Sequence, residues 1–274
     1  MLKGKPAIAA SAGHFALVIF FVLFSISSFA AAENENIHES TSSNQKTERK
    51  HQSGFFYGAM LGYKTEIYKG VENDFIAFPV VGYRSDRFNF LGPLVSYRLL
   101  EKESVEVSSI LRYNFAGYDS SDSQSLDGMQ DREASLDIGL GLSYKKHHWS
   151  AKLEAFHDVL GRSNGFELKS SLGKTYYFGP IFIEPNLGLS YWDNQYVDYY
   201  FGVEENEALA GRNACQGRYA LNKNIGLNIS TPIFFGGFTR LSLEHSWYDD
   251  SIEKSPITES DKSFGFRLTF SRFF

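Results

Sequence analysis

The chain has 274 residues, of which 43% are hydrophobic and 16% aromatic, and its formal net charge at pH 7 is −5. Its lysines and arginines are scattered along the chain and its pI is near 5.8, which excludes the concentrated basic surface of a nucleic-acid-binding protein. The single cysteine, Cys215, excludes an intramolecular disulfide and a multi-cysteine metal site. The mean hydropathy of −0.27 shows that the chain is rich in aromatic residues without being strongly apolar.

The first 32 residues have the three parts of a signal peptide. Lys3 and Lys5 form a basic start, residues 15–24 form an apolar core, and small residues follow in the stretch SSFAAAEN. The apolar core is shorter than the roughly 20 residues of a membrane-spanning helix, so cleavage after Ala32, or after Ala30, is favoured over an uncleaved anchor. The sequence therefore predicts export through a cleaved signal peptide over 1–32.

Residues 33–53 form a polar segment in which Ile37 is the single aliphatic side chain. Such a segment buries too little apolar surface to fold alone, so we expect a disordered N-terminal arm. From residue 54 to 274 the pattern changes to segments of about ten residues in which apolar residues alternate with polar or small ones. This third region is predicted to form one folded domain.

The alternation predicts a chain of β-strands. It is clearest around residues 133–145, where Leu136, Ile138 and Leu140 share one face and Asp137 lies on the other. Polar stretches rich in Asp, Ser, Asn and Gly separate the segments. The predicted strands are 55–64, 75–84, 87–99, 104–115, 133–145, 148–159, 165–178, 181–191, 195–201, 217–231, 237–248 and 263–274.

Three features favour a membrane barrel over a soluble sandwich. The segments approach the nine to eleven residues of a tilted membrane-crossing strand, aromatic residues cluster at segment ends such as 176–178, and the polar face carries charges and glycines. Hydrocarbon offers no partner for a free strand edge, so the sheet must close on itself. The predicted fold class is all-β, a transmembrane antiparallel up-and-down β-barrel of about twelve strands.

The connections leave ten strands as the alternative to twelve. Tight links at 85–86 and 146–147 cannot both lie on the periplasmic side if every predicted strand crosses the membrane. At least one strand assignment is therefore in conflict with the others. The segment 195–201, QYVDYYF, is the weakest assignment and has a loop as its alternative.

The same alternation turns a set of charged residues toward the barrel interior. In an open pore these residues would tune the passage of small polar solutes, and their mixed signs predict no strong ion selectivity. In a barrel of ten to twelve strands, pairing across the lumen is the favoured interpretation, because the charges then fill the narrow interior. The predicted lumen residues are Arg112, Asp137, Lys152, Glu154, Glu167, Lys169, Arg218, Arg240 and Arg267.

The last twelve residues, SFGFRLTFSRFF, read as the closing strand, with an apolar face that lipid can cover. The aromatic end of this strand resembles the signal by which the barrel-assembly machinery recognises its clients. The predicted signal residues are Phe266, Leu268, Phe270 and Phe274. Arg272 departs from the resemblance, because such strands often carry an aromatic residue at that position.

The chain contains no G-x-S-x-G, P-loop, H-E-x-x-H or EF-hand pattern. His147 and His148 are adjacent at a predicted turn, and adjacent strand residues point to opposite faces, so they do not share a metal. The acidic loops 65–74, 116–132 and 249–262 suggest divalent-ion bridges to lipopolysaccharide, but their spacing matches no defined calcium loop and favours solvated surface. We therefore predict no enzyme, no cofactor and no metal site.

Three stretches carry a family resemblance: SLDGMQDR at 125–132, DYYFGV at 198–203 and KSPI at 254–257. In this order they resemble the MipA/OmpV family of outer-membrane proteins, also called MltA-interacting proteins, and the likeness spans most of residues 54–274. The matching residues are Leu126, Gly128, Met129, Arg132, Tyr200, Gly202, Val203, Ser255 and Pro256. The chain departs from the family after Ala208: the family tends to carry a small residue followed by Gly and Leu, whereas this chain has Gly211, Arg212, Asn213, Ala214 and Cys215.

The resemblance implies a scaffold in the Gram-negative outer membrane that brings a murein lytic transglycosylase together with a bifunctional murein synthase. Lipid and lipopolysaccharide are the expected surroundings, and the barrel-assembly machinery is the expected assembly partner. Two other classes of function remain open from the residues alone. One is a narrow porin-like or osmotically responsive channel, and the other is a surface adhesin that acts through its loops.

Overall fold

The computed structural model describes residues 53–274. The predicted signal peptide over 1–32 and nearly all of the predicted arm over 33–53 lie outside the described residues. No helix within 53–274 is long and apolar enough to cross a membrane.

The described residues form thirteen strands, two short α-helices and three 3₁₀ turns. The helices are α1 (Asn194–Phe201) and α2 (Asp250–Glu253). The strands are β1 (Gly54–Lys64), β2 (Asp74–Arg84), β3 (Phe88–Leu91), β4 (Leu94–Lys102), β5 (Val105–Asn114), β6 (Ser135–Lys146), β7 (Trp149–Asp158), β8 (Phe166–Lys174), β9 (Tyr176–Phe178), β10 (Ile181–Trp192), β11 (Ala220–Thr231), β12 (Phe238–Trp247) and β13 (Lys262–Phe273).

These strands close into an antiparallel barrel. Apart from β8 and β9, strands that follow one another in the chain pair with each other, and β13 pairs with β1 from Phe56 opposite Phe273 to Lys64 opposite Gly265. The short β9 continues β8 beyond Thr175, and both pair with β10. The wall therefore has twelve strands, which confirms the predicted fold class.

The two faces of the wall follow the period-two pattern. On β6, Ile138 and Leu140 are 53% and 59% exposed on the outer face, whereas Ser135 and Asp137 are buried on the inner face. Neighbouring residues on a strand point to opposite faces, so one apolar and one polar set separate cleanly. The apolar outer face is what a lipid environment requires, because hydrocarbon covers it without cost.

The barrel has two unlike ends. The turn end carries both termini of the described chain and the short connections, which are residues 85–87, 103–104, 147–148, 179–180 and 232–237. The loop end carries the long connections, which are residues 65–73, 115–134, 159–165, 193–219 and 248–261. In outer-membrane barrels the short turns face the periplasm, so the turn end is expected to face the cell wall.

Two predicted strands are wrong, and their errors cancel in the count. The segment 87–99 is not one strand but the hairpin of β3 and β4, because the Gly92-Pro93 pair breaks it. The segment 195–201 is not a strand, because it forms helix α1. The extra strand from the hairpin places the links at 85–86 and 146–147 on the same end, which removes the conflict in the sequence reading.

The short hairpin leaves a thin part of the wall. β2 pairs with β3 only through Gly82, Tyr83 and Arg84. Behind this part, inward-facing apolar side chains pack together into a buried cluster on the inner wall, and Leu91 belongs to it. The cluster seals the barrel where strand pairing is short, and consists of Phe56, Met60, Ile76, Val80 and Leu91.

Candidate functional site: a capped lumen

Four of the long loops fold together over the loop end and form a cap, which we define as residues 65–73, 115–134, 193–219 and 248–261. The cap has its own hydrophobic core, and Leu126, Val197, Ile252 and Ile257 in it have no exposed surface. The sequence reading of 116–132 and 249–262 as solvated loops is therefore wrong for these residues. Alternation within strands does not report such contacts, because they join loops that are far apart in the chain.

Helix α1 supplies the centre of the cap. The side chain of Asp193 accepts a hydrogen bond from the Tyr196 backbone N–H at 2.9 Å and so caps the N-terminus of the helix. Tyr196, Val197, Tyr200 and Phe201 are all buried, which is the spacing of one helical face. The helix therefore lays an aromatic face over the lumen.

A buried ion pair locks two loops of the cap together. The guanidinium of Arg132 donates to both oxygens of Glu207, at 3.0 and 2.8 Å, and the two side chains are 5% and 1% exposed. The backbone N–H groups of Gln130 and Glu204 also donate to Glu207, at 2.8 and 2.9 Å. Four hydrogen bonds from three donor groups thus converge on one carboxylate and join residues 130–132 to residues 204–207.

Arg212 makes a second link between the same loops. Its guanidinium donates to the backbone carbonyl of Glu207, to that of Ser125 at 2.8 Å and to that of Asp127 at 2.9 Å. The residue is 6% exposed, so it is unable to contact a large partner from solution. The departure from the family pattern at this position therefore serves the packing of the cap.

Acid should loosen the cap through Glu207. Burial alone would raise the pKa of Glu207, but the N–H groups of Gln130 and Glu204 and the Arg132 guanidinium together hold the pKa below its ordinary value of 4.5. A lowered pKa in the folded state means that this carboxylate stabilises the cap above about pH 4.5 and loses that contribution as the pH falls through the lowered value. Hydrogen exchange at Gln130 and Glu204, corrected for intrinsic rate, should therefore accelerate in this range.

The comparison variant for this pH effect is Glu207→Gln. It should exchange faster than the wild type at neutral pH and lose the pH step, because it has no proton to gain. A step of the same size in Glu207→Gln would assign the effect to other carboxylates and contradict the prediction.

The family-motif residues lie in the cap. Leu126, Met129, Tyr200 and Val203 belong to its core, and Arg132 forms the ion pair described above. The others set the loop backbone. Gly128 has φ +79°, a side chain on Gly202 would lie 2.3 Å from the Asp198 carbonyl, Ser255 donates to the Phe201 carbonyl at 2.6 Å, and the Pro256 carbonyl accepts from Lys69 at 2.8 Å.

Below the cap, the lumen holds a cavity of about 720 Å³. Tyr68, Tyr196, Tyr200 and Phe201 of the cap line its closed end. Residues 85–87, 103–104 and 147–148 line the other end, at the turns. We call this cavity the vestibule, since it ends blindly under the cap and extends to the turn end.

A buried charge network lies where the vestibule meets the cap. Arg112 donates to Asp137 at 3.0 and 2.9 Å and also to Glu167, and its guanidinium stacks 3.6 Å from the centre of the Phe156 ring. Glu167 further accepts from the Trp192 indole N–H at 2.6 Å and pairs with Lys169 at 3.1 Å. Arg112 thus bridges two carboxylates from different strands, and Lys169 supplies the second positive charge that balances them.

The remaining predicted lumen residues have different places. Lys152, Glu154, Lys169, Arg240 and Arg267 line the vestibule together with Arg112 and Glu167. Arg218 does not, because it precedes β11 in a loop and is exposed there, so its assignment to the lumen is wrong. Residues 217–219 lie before the start of β11, so the alternation of inward and outward side chains does not apply to Arg218.

The predicted lumen residues leave out a part of the lumen that is rich in amides and hydroxyls. Inward-facing amides and hydroxyls line the adjacent strands β10, β11 and β12, where on β12 they alternate with Arg240 and Glu244, and we call this surface the amide wall. Its signal was present in the even-numbered positions of β11, which read Asn, Asn, Gly, Asn and Ser from residue 222 to 230. The amide wall consists of Asn186, Ser190, Asn222, Asn224, Asn228, Ser230, Ser242 and Ser246.

The closing strand presents its end to the membrane interface. Phe274 is 88% exposed, its ring lies 4.8 Å from that of Tyr57, and its backbone N–H donates to the Phe55 carbonyl at 3.1 Å. Arg272 also faces outward and donates to the Phe235 carbonyl at 3.1 Å. The role of Phe266, Leu268, Phe270 and Phe274 as an assembly signal stays a prediction.

We expect Phe274→Ser to lower the amount of folded barrel in the membrane several-fold, because it removes the terminal aromatic group while leaving all strand pairs in place. Arg272→Ser serves as the control and should reduce the amount less. The measurement is the fraction of heat-modifiable protein in the membrane at matched expression. Equal membrane yields for the two variants would count against the signal.

The closed barrel and its lipid-compatible outer face define an outer-membrane β-barrel protein. The family model described as MltA-interacting protein MipA matches residues 57–274, and the chain belongs to this family. The Vibrio anguillarum outer membrane protein Omp26La is 25% identical over 198 residues, which cover 72% of this chain and 77% of that protein. The Escherichia coli K12 putative outer membrane protein YiaT is 24% identical over 212 residues, which cover 76% of this chain and 86% of that protein.

A further relative, the MltA-interacting protein of Escherichia coli K12, is 26% identical over 157 residues, which cover 56% of this chain and 63% of that protein. Among solved structures, the COG4313 outer membrane channel from Pseudomonas putida F1 has a TM-score of 0.43 at 9% identity, covering 85% of this chain and 100% of that one. The named relatives agree with the fold in placing the protein in the outer membrane.

Proposed function

We propose that this protein is a scaffold for murein enzymes at the inner side of the outer membrane. It would bring a lytic transglycosylase together with a bifunctional murein synthase. The observation that carries the proposal is the cap, since a barrel closed at one end by a packed core is suited to binding and poorly suited to free passage. The name of the family and of its Escherichia coli member supports the class of partner.

The turn end is the surface that would meet the enzymes. Its short connections point toward the periplasm in barrels of this kind, where murein is made and cut. Exposed basic residues such as Arg87 and Lys146 lie there, next to the mouth of the vestibule. The proposed role needs binding alone from this chain and no chemistry.

Affinity capture tests the scaffold. The tagged protein, solubilised in detergent from the envelope, should retain a lytic transglycosylase and a bifunctional synthase, identified by mass spectrometry. Arg87→Glu combined with Lys146→Glu should reduce their recovery, because it reverses charge at the turn end. Lys254→Glu changes an exposed lysine at the loop end and should leave recovery unchanged. Absence of both enzymes from the wild-type capture would contradict the proposal.

A gated channel is the second candidate. It is favoured by the charge-lined vestibule of about 720 Å³, which would become a through-passage if the cap moved aside. Planar-bilayer recording separates the two functions. Stable, salt-dependent current steps in the wild type, abolished by bulky substitutions at Lys152 or Glu154, would favour the channel, and a silent wild type would favour the scaffold.

A further inference from the structure

The amide wall contains two asparagines, each of which lies near a glycine on the neighbouring strand that leaves space for its side chain. In the register of β10 and β11, Asn186 lies opposite Gly226 and Gly188 lies opposite Asn224. A side chain on Gly188 would come within 2.1 Å of the Asn224 amide oxygen, and one on Gly226 within 2.6 Å of that of Asn186. Because glycine has no side chain, both asparagine amides can lie across the neighbouring strand, close to the sheet.

Hydrogen bonds orient the surrounding polar groups. The Asn224 amide N–H donates to Glu244 at 3.3 Å, and the Ser246 hydroxyl donates to the other oxygen of Glu244 at 3.0 Å. On the same wall the Ser242 hydroxyl donates to the Asn228 amide oxygen at 2.7 Å. The wall is thus an ordered array of amides and hydroxyls in which both donors and acceptors face the cavity.

The chemistry of the wall selects among ligand classes. Its inward positions between Asn186 and Ser190, and between Asn222 and Ser230, carry only glycine, asparagine and serine. These positions offer no apolar contact to a peptide side chain or an acyl chain, whereas an amide can pair with another amide or with hydroxyls on both its donor and acceptor atoms. Apolar residues such as Phe156 and Phe182 line other parts of the vestibule. The vestibule volume lies within the range of roughly 300–1,000 Å³ that is usual for small-ligand sites.

A lysine beside the wall adds a buried positive charge. The Lys152 ammonium lies among Glu106, Glu154 and Glu184 and makes no hydrogen bond within residues 53–274. Lys152 lines the vestibule from β7, but its ammonium is buried among these carboxylates, so it adds positive charge to the lumen and is not a donor that a ligand reaches.

We propose that the vestibule binds an N-acetylated oligosaccharide that enters from the turn end, with its acetamido groups against Asn186 and Asn224. The inference rests on the proposed function in one respect, because a scaffold of murein enzymes works beside the glycan that those enzymes handle. It adds a ligand site inside the barrel, distinct from the turn-end surface that would bind the enzymes.

Calorimetric titration of the full mature barrel in detergent tests the site. Chitotetraose, which carries an acetamido group on every ring, should bind saturably, and cellotetraose, which carries none, should bind at least about tenfold more weakly. Asn186→Ala combined with Asn224→Ala should weaken chitotetraose binding at least about tenfold. Ser96→Ala removes a lumen hydroxyl from β4 and should change the affinity less than twofold.

Heat-modifiable gel mobility establishes that each variant is folded, and the chitotetraose and cellotetraose comparison on the wild type does not depend on any variant. The inference is overturned if chitotetraose does not bind at millimolar concentration, if cellotetraose binds equally well, or if the folded double variant binds as tightly as the wild type. Enzyme capture by the double variant separates the two proposals, because its turn-end surface is unchanged.

Discussion

Replacement of Arg112 by methionine should destabilise the barrel by about 3–5 kcal/mol. The change keeps most of the side-chain volume but leaves Asp137 and Glu167, both at most 5% exposed, as buried carboxylates without their shared guanidinium. Urea unfolding of the barrel refolded in detergent micelles measures the loss. The Trp192 indole, which donates to Glu167, gives a fluorescence signal from within the network.

Two further variants serve as controls for the Arg112→Met measurement. Adding Asp137→Asn and Glu167→Gln to Arg112→Met should restore much of the stability, because the uncompensated charges are then gone. Arg98→Ala removes another inward arginine, which pairs with Glu101 and Glu106. The Glu101 side chain is 50% exposed and the Glu106 side chain is 37% exposed, so this variant should lose less than about 1 kcal/mol of stability. An Arg112→Met barrel as stable as the wild type would show that the network contributes nothing.

Arg132→Ala should open the cap without unfolding the barrel. It leaves Glu207 buried with two backbone donors and no cation, and loss of one partner of a buried ion pair costs about 3–5 kcal/mol. Local opening of residues 125–132 and 204–212 should therefore become roughly 10²–10⁴ times more frequent. Hydrogen exchange of these segments measures the opening, and limited proteolysis should cut them first.

The matched control for the cap is Arg162→Ala. Arg162 also pairs with a loop glutamate, Glu133, but the two side chains are 46% and 53% exposed, so the pair contributes at most about 1 kcal/mol. Exchange in this variant should stay close to that of the wild type. If Arg132→Ala exchanges no faster than Arg162→Ala, the ion pair does not hold the cap, and the cap must depend on its apolar core alone.

The two strand errors show where sequence patterns are reliable and where they fail. The segment 195–201 alternates weakly, yet Asp193 and the spacing of Tyr196, Val197 and Tyr200 also fit a capped helix. The helical pattern was therefore visible, but a short segment satisfies both periods. In 87–99 the Gly92-Pro93 pair was a visible turn signal inside an otherwise continuous strand pattern.

The sequence by itself determined the barrel wall and which strand residues face lipid, because a period of two along a strand is a local property that each segment carries alone. It also supplied the family motifs. Only the tertiary structure decided what those motifs do, since Arg132 meets Glu207 across 75 positions and Arg112 meets Glu167 across 55. Contacts of such separation depend on loop closure and on the register of all twelve strands. No local pattern encodes the cap, the blind vestibule or the pairing of each asparagine with the glycine across from it.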